Sequence, residues 1–493
     1  MAQNDHESRH LETLDRDLGR FSNLEMAAAY VSRPLVGPGI ALVFIVLAGL
    51  AAALSQGQTS NALIVVVAAT FGAYMALNIG ANDVANNMGP AVGANALTMG
   101  GAIVIAAIFE SAGALIAGSD VVSTISKGII APDSIGEPSI FIWAMMAALL
   151  SSALWVNLAT WIGAPVSTTH SVVGGVVGSG IAAAGFGAIN WETMTAIAAS
   201  WVISPVLGGL SAAGFLWFIK ARIIYQPYKI AATRKWVPVL VGIMSGAFAA
   251  YLALKGLKNL IHVSLGSAAL LGLVIGVGTW LVMIPVIRHQ SQGLENRNKS
   301  LKVLFSIPLV VSAALLSFAH GANDVANAVG PLAAIVQASQ TGDFTHDVAI
   351  PYWVMLIGAF GISFGLFLFG PKLIRMVGSQ ITKLNPMRAF CVALSAALTV
   401  IVASWLGLPV SSTHIAVGAV FGVGFFREWD AERRLRLAQD EDDRPRIPPE
   451  ERRRRKLVRR AHVMTIATAW VVTVPAAAIL SALIFLAIRA SIG

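Results

Sequence analysis

Gly80-Ala81-Asn82-Asp83-Val84-Ala85-Asn86 recurs, residue for residue, as Gly321-Ala322-Asn323-Asp324-Val325-Ala326-Asn327. Each copy follows an apolar segment and reaches a Gly-Pro step three residues on, Gly89-Pro90 and Gly330-Pro331. An acidic group between two amides is costly at membrane depth, where polar residues mark a pathway or a site for a solute. A lone Asn-Asp pair at a helix end is ordinarily a cap. Two identical copies in apolar surroundings, 241 positions apart, point instead to one site built from two related halves.

Composition sets the class. Of 493 residues, 56% are hydrophobic and only 12% charged, with a mean hydropathy of +0.73. Average globular chains carry about a quarter charged residues. Apolar runs of the roughly 18 residues needed to cross a bilayer recur at 38–56, 60–79, 140–162, 194–219, 264–287, 352–370, 388–406 and 463–489. These features predict an all-α polytopic membrane protein of about 12 transmembrane helices. Residues 1–37 are too polar for a signal peptide and read as a cytoplasmic tail. The single cysteine, Cys391, allows no internal disulfide. The net charge of +9 sits in loops, where it orients helices rather than binding nucleic acid.

Loop charges give the topology. Lys220, Arg222, Lys229, Arg234 and Lys235 mark one cytoplasmic loop, and Arg288, Arg297, Lys299 and Lys302 a second. Lys372, Arg375, Lys383 and Arg388 mark a third, and the charged stretch 427–460 a fourth. Span 102–119 then runs from inside to outside, and 352–370 from outside to inside. The two halves are inverted. Residues 38–220 form the first repeat with an extra N-terminal span, 221–302 the connecting spans and loops, and 303–493 the inverted second repeat. The count closes if 83–98 and 324–339 do not cross the membrane fully, which predicts discontinuous or re-entrant helices at the two motifs. Gly- and Pro-interrupted apolar segments in corresponding positions of two halves point to a transporter's binding site.

A second element is also duplicated. Gly163-Ala-Pro-Val-Ser-Thr-Thr-His170 returns as Gly407-Leu-Pro-Val-Ser-Ser-Thr-His414, each after an apolar helix ending in Thr160-Trp161 or Ser404-Trp405. Pro165 and Pro409 suit the first turn of a helix. The hydroxyls Ser167, Thr168 and Thr169, with Ser411, Ser412 and Thr413, would then gather at helix starts, where free N–H groups favour an anion. Asp83 and Asp324 repel an anion, and two explanations are open. A hard cation such as Na⁺ could sit on the oxygens of Asn82, Asp83, Asn323 and Asp324. Alternatively, a protonated oxyanion donates its own hydrogen bond to the carboxylate, which phosphate can do and sulfate cannot.

The two GANDVAN copies and the paired PVSTTH and PVSSTH motifs resemble the inorganic phosphate transporter family of the Pit type, solute carrier family 20 in animals. The likeness covers both halves, roughly 60–220 and 300–490. It implies an inverted-repeat fold and uptake of inorganic phosphate driven by Na⁺ or, in some bacterial members, by H⁺. By matching position it implies a site of Asn82, Asp83, Asn86, Ser167, Thr168 and Thr169 from one half. The other half contributes Asn323, Asp324, Asn327, Ser411, Ser412 and Thr413. Glu110 matches a glutamate of many members and joins the expected cation ligands. A further glutamate of some members is absent here, where Val392-Ala-Leu-Ser395 stands.

The expected activity is cation-coupled phosphate symport in a cell membrane, the bacterial inner membrane. The partners would be phosphate, the coupling cation and the bilayer, with no nucleic acid and no resident cofactor. A homodimer is one arrangement left open. A sulfate permease and a phosphate channel are the alternatives. An HExxH match, His6-Glu-Ser-Arg-His10, lies in the polar N-terminal tail rather than on an apolar-backed helix, and a GxSxG match, Gly361-Ile-Ser-Phe-Gly365, lies inside an apolar run rather than at a strand-to-helix turn. No P-loop sequence occurs, so neither an enzyme nor ATP drive is expected.

Overall fold

The computed structural model describes residues 35–57, 61–131, 134–164, 166–256, 263–342, 350–380, 384–442 and 460–492. Expectations for residues 1–34, Pro165, Lys383 and 443–459 lie outside them. Among the described residues the chain is helical, with one isolated bridge between Ile130 and Ile189. The first half holds α1 (Leu35–Gln56), α2 (Ala62–Asn82), α3 (Val84–Gly93), α4 (Met99–Ala117), α5 (Ser119–Ser123), α6 (Pro138–Ile162), α7 (Thr168–Ala184) and α8 (Trp191–Ile219). A connecting hairpin follows, α9 (Lys229–Gly256) and α10 (Leu265–Gln290), then the short α11 (Asn298–Leu304). The second half holds α12 (Ser306–Asp324), α13 (Ala326–Thr341), α14 (Tyr352–Gln380), α15 (Pro386–Trp405), α16 (Ser412–Asp442) and α17 (Arg460–Ile492).

Eleven helices among the described residues are long and apolar enough to cross a membrane. Helix α16 falls outside that number because its apolar start runs unbroken into Arg427, Glu428, Asp430 and beyond. The discontinuity expected at the motifs is present. Helices α2 and α3 form one 32-residue apolar rod broken at Asp83, and α12 and α13 one of 36 residues. Neither α3 nor α13 spans alone; each continues its predecessor. The chain reverses at the serine motifs instead. Helix α7 returns to the level of the loop before α6, where Asn190 N donates to Ile129 O.

One expectation is corrected. Pro409 does not open a helix: α16 begins at Ser412, and the Ser411 hydroxyl caps it by accepting from His414 N at 3.3 Å. Ser167 caps α7 in the same way, from His170 N at 3.1 Å, with its own backbone extended. A hydroxyl at the N-cap satisfies an orphan donor of the first turn, and that preference places the helix start three residues after the proline.

The halves interlock. Helix α2 packs on α14, α4 on α12, α7 on α17 and α8 on α16, and each pair takes one helix from each half. Close approach depends on the motif glycines. A Cβ on Gly80 would overlap the carbonyl of Ile362, and one on Gly321 would overlap that of Glu110. Small residues let helix backbones meet in this way within membranes.

Helix α16 is a rod whose start lies in the core and whose charged end is tied down beside α8. Asp430 accepts from Lys220 Nζ at 2.7 Å and from the Tyr225 hydroxyl at 2.5 Å, while Arg434 stacks over the Tyr225 ring. Burial pushes the Asp430 carboxyl up, but the hydrogen bonds from Lys220 and Tyr225 and the charge of Lys220 outweigh it, so the group sits below its ordinary value. A carboxyl held down in the fold stabilises above its unfolded value, and that stability is lost as pH falls through the folded one. The melting-temperature gap between wild type and Asp430→Asn is therefore expected to be widest near neutral pH and to close below about pH 4. A gap unchanged at about pH 3 would remove this ion pair as the anchor of α16.

Candidate functional site

The breaks in α2–α3 and α12–α13 meet the starts of α7 and α16 at one buried locus. Asp83 accepts from Thr168 Oγ1 at 2.6 Å and from Thr413 Oγ1 at 3.1 Å, so it receives one hydroxyl from each half. Asp324 accepts from Ser412 Oγ at 2.9 Å. The amide of Asn86 donates to Thr413 at 2.9 Å, and that of Asn327 to Thr168 and Thr169 at 3.2 and 3.1 Å. Thr169 donates in turn to Val410 O at 2.9 Å. All these side chains are buried. The bonds from Asn86 and Asn327 cross between the halves, and the site exists only where both motif pairs converge.

Asn82 and Asn323 do something else. Asn82 donates to Thr160 Oγ1 and Ala164 O and accepts from Val166 N. Asn323 repeats the pattern with Ser404 Oγ, Leu408 O and Val410 N. Each amide latches the loop that carries the serine motif, with both its ends engaged. The hydroxyls of Ser167 and Ser411 are engaged as helix caps.

The two-fold pattern breaks at three positions. Glu110 accepts from Asn87 at 2.8 Å and meets His320 Nδ1 at 2.5 Å, while His320 Nε2 lies 2.8 Å from Asp324. Counterparts by repeat position are Ile362 for Glu110, Ile79 for His320 and Ala328 for Asn87. Asp324 thus has a polar chain behind it where Asp83 has aliphatic packing. His320 and Asn87 were missed in the sequence, although His320 against Ile79 is a visible mismatch immediately before otherwise identical motifs. His170 and His414 pack edge to face, 4.4 Å between ring centroids, and His170 also stacks on Trp201.

The donor set fits a cation. Ligand atoms of Asp83, His320 and Asp324 all lie within 4.8 Å of one another. Three buried acceptors here, Asp324 Oδ1, Asn327 Oδ1 and Asn87 Oδ1, have no hydrogen-bond partner within the protein. A buried unmet acceptor costs about 1–3 kcal/mol, which a cation or a protonated ligand relieves and a bare anion does not.

An inverted pair of interlocked halves around a buried polar site is the architecture of a multi-pass membrane transporter. Residues 79–481 match the phosphate transporter family, and the chain belongs to that family. A Helicobacter pylori (strain J99) chain named a phosphate permease is 45% identical over 527 aligned positions, which cover 96% of this chain and 98% of that one. One of the same name from Pyrococcus abyssi is 36% identical, covering 84% and 95%. A solved structure titled "The sodium-dependent phosphate transporter" superposes with a TM-score of 0.78 at 35% identity, covering 87% of this chain and 99% of that one.

Proposed function

We propose that this chain imports inorganic phosphate together with a cation across a bacterial inner membrane, by alternating exposure of the central site. The observation that carries this reading is how the hydroxyl protons are spent. Each hydroxyl has a single proton to donate. Thr168 and Thr413 give theirs to Asp83, and Ser412 gives its own to Asp324. In that state they have none for an anion. A cation seated on the oxygens of Asp83, Asp324 and Asn327 takes over the carboxylates and frees three donors for phosphate. Phosphate affinity rises with the cation bound, and by linkage cation affinity rises equally with phosphate bound.

In this reading the cation does not use Asn82 or Asn323, whose oxygens hold the serine loops, and Glu110 acts through His320 rather than as a direct ligand. Hard oxygen ligands suit Na⁺, and the likeness to a sodium-dependent phosphate transporter favours it; H⁺ is the alternative coupling ion. Phosphate is favoured over sulfate because its P–OH group can donate to a carboxylate lone pair that the cation leaves open, whereas sulfate has no proton to give. Purified protein in proteoliposomes tests both choices. Uptake of labelled phosphate should rise with an imposed Na⁺ gradient and resist excess sulfate. A Na⁺ gradient without effect beside an effective pH gradient would replace Na⁺ by H⁺, and competition by sulfate would sink the phosphate assignment.

A further inference from the structure

Beneath α1 lies a cavity of about 720 Å³, lined by Tyr74, Asn78, Asn157, Thr160 and Trp161 and by Lys372 near its mouth. Lys372 and Arg375 place that mouth on the cytoplasmic side by loop charge. Asn157 is exposed in α6, and its amide donates to Asn78 Oδ1 at 3.1 Å. Exposed asparagine is costly against lipid and sits instead on water-filled space. Its walls are mostly apolar, from α1, α2 and α14, but Asn78, Asn157, Thr160 and Lys372 give water polar partners along one side, and its inner wall is the site's own scaffold. Thr160 is the latch partner of Asn82, and Ala81 is two residues from Asp83.

The equivalent place in the other half is filled. Asn78, Asn157 and Lys372 correspond to Ala319, Ile401 and Asp120 by repeat position. Ile401 packs with Phe318, Ala322 and Ala117 around Tyr251 of α9, and Phe248 meets Phe318 edge to face at 4.9 Å. Lys255, at the end of α9, closes over this cluster by pairing with Asp120. One of two symmetry-related routes is open and carries a pair of asparagines; its counterpart is filled by Phe318, Ile401 and Tyr251.

We propose that the cavity is the cytoplasmic vestibule through which phosphate leaves the central site, separated from it by the Asn82–Thr160 latch, and that α9 seals the equivalent outer route. The solute's identity rests on the phosphate reading above; the route itself does not. Native Cys391 is buried, so an introduced thiol can be read alone. Asn157→Cys in oriented proteoliposomes should react with a membrane-impermeant maleimide from the cytoplasmic face and not from the outer face. Its modification should stop phosphate uptake. Ile401→Cys should react from neither face, and should become reactive from outside when combined with Tyr251→Ala. Trp161→Cys, on the rim, repeats the first test should Asn157→Cys fail to fold. Absence of labelling from the cytoplasmic face at both positions, or labelling that leaves uptake intact, overturns the vestibule. Labelling needs no solute, so a vestibule that labels in a protein that carries no phosphate would sink the phosphate reading and leave the cavity's exposure standing.

Discussion

Asp83→Asn is expected to reduce cation-driven phosphate uptake to background while the protein still inserts and folds. The substitution keeps the shape of the side chain and one of its two oxygens, so one of the Thr168 and Thr413 hydroxyls keeps its acceptor and the other can turn to accept from the new amide, and the packing of four converging helices survives. What it removes is the negative charge that draws the cation between Asp83 and Asp324. Removing one partner of a buried charge pair costs about 3–5 kcal/mol. At about 1.4 kcal/mol per tenfold, the expected loss is roughly two to three and a half orders of magnitude in apparent cation affinity. Without the cation the anion must approach Asp324 uncompensated, and phosphate affinity falls in step. Folded yield by size-exclusion chromatography, Na⁺ dependence of phosphate binding by calorimetry, and uptake together decide the matter. Wild-type uptake by well-folded Asp83→Asn would sink the coupling scheme, because the scheme assigns that carboxylate the cation.

Much of this was legible in the residues, for identifiable reasons. Seven identical residues in two apolar settings mark one repeated element, and loop arginines and lysines orient helices whatever those helices contain. The inversion and the convergence of Asp83, Asn86, Asp324 and Asn327 with the serine motifs follow from these. What the chain hides is which partner each polar group takes. Asn82 looks like Asn86 in the motif, yet the helix turn sends one to Thr160 and to Ala164, two residues past the end of α6, and the other to Thr413 across the repeat interface. The helix starts were misplaced because proline and serine both favour N-terminal positions, and the cap hydroxyl at Ser411 decided between them. His320 was passed over because it stands just outside the identical seven residues. Its partner Glu110 lies 210 positions away, and only the α4–α12 crossing brings the two together.

That crossing carries the second large effect. Gly321→Ala is expected to destabilise the protein severely, because the new methyl would occupy the space of the Glu110 carbonyl. Overpacking usually costs about 1–3 kcal/mol when side chains can shift; here the obstacle is helix backbone, and α4 must move bodily away from α12. The displacement would also draw Glu110 from His320 and leave Asp324 without its polar support. Gly80→Ala meets the Ile362 carbonyl at the equivalent crossing of α2 and α14, where the neighbours are aliphatic. Both variants should lower the melting temperature by several degrees or fail to accumulate, at the upper end of that cost or beyond it. Gly214→Ala in α8, with open space around the added methyl, should melt like wild type. If Gly80→Ala and Gly321→Ala also melt like wild type, the helices do not cross at these glycines and the interlocked arrangement of the halves fails. If Gly321→Ala loses more than Gly80→Ala, the excess measures what the Glu110–His320 contact adds to packing that the two halves otherwise share.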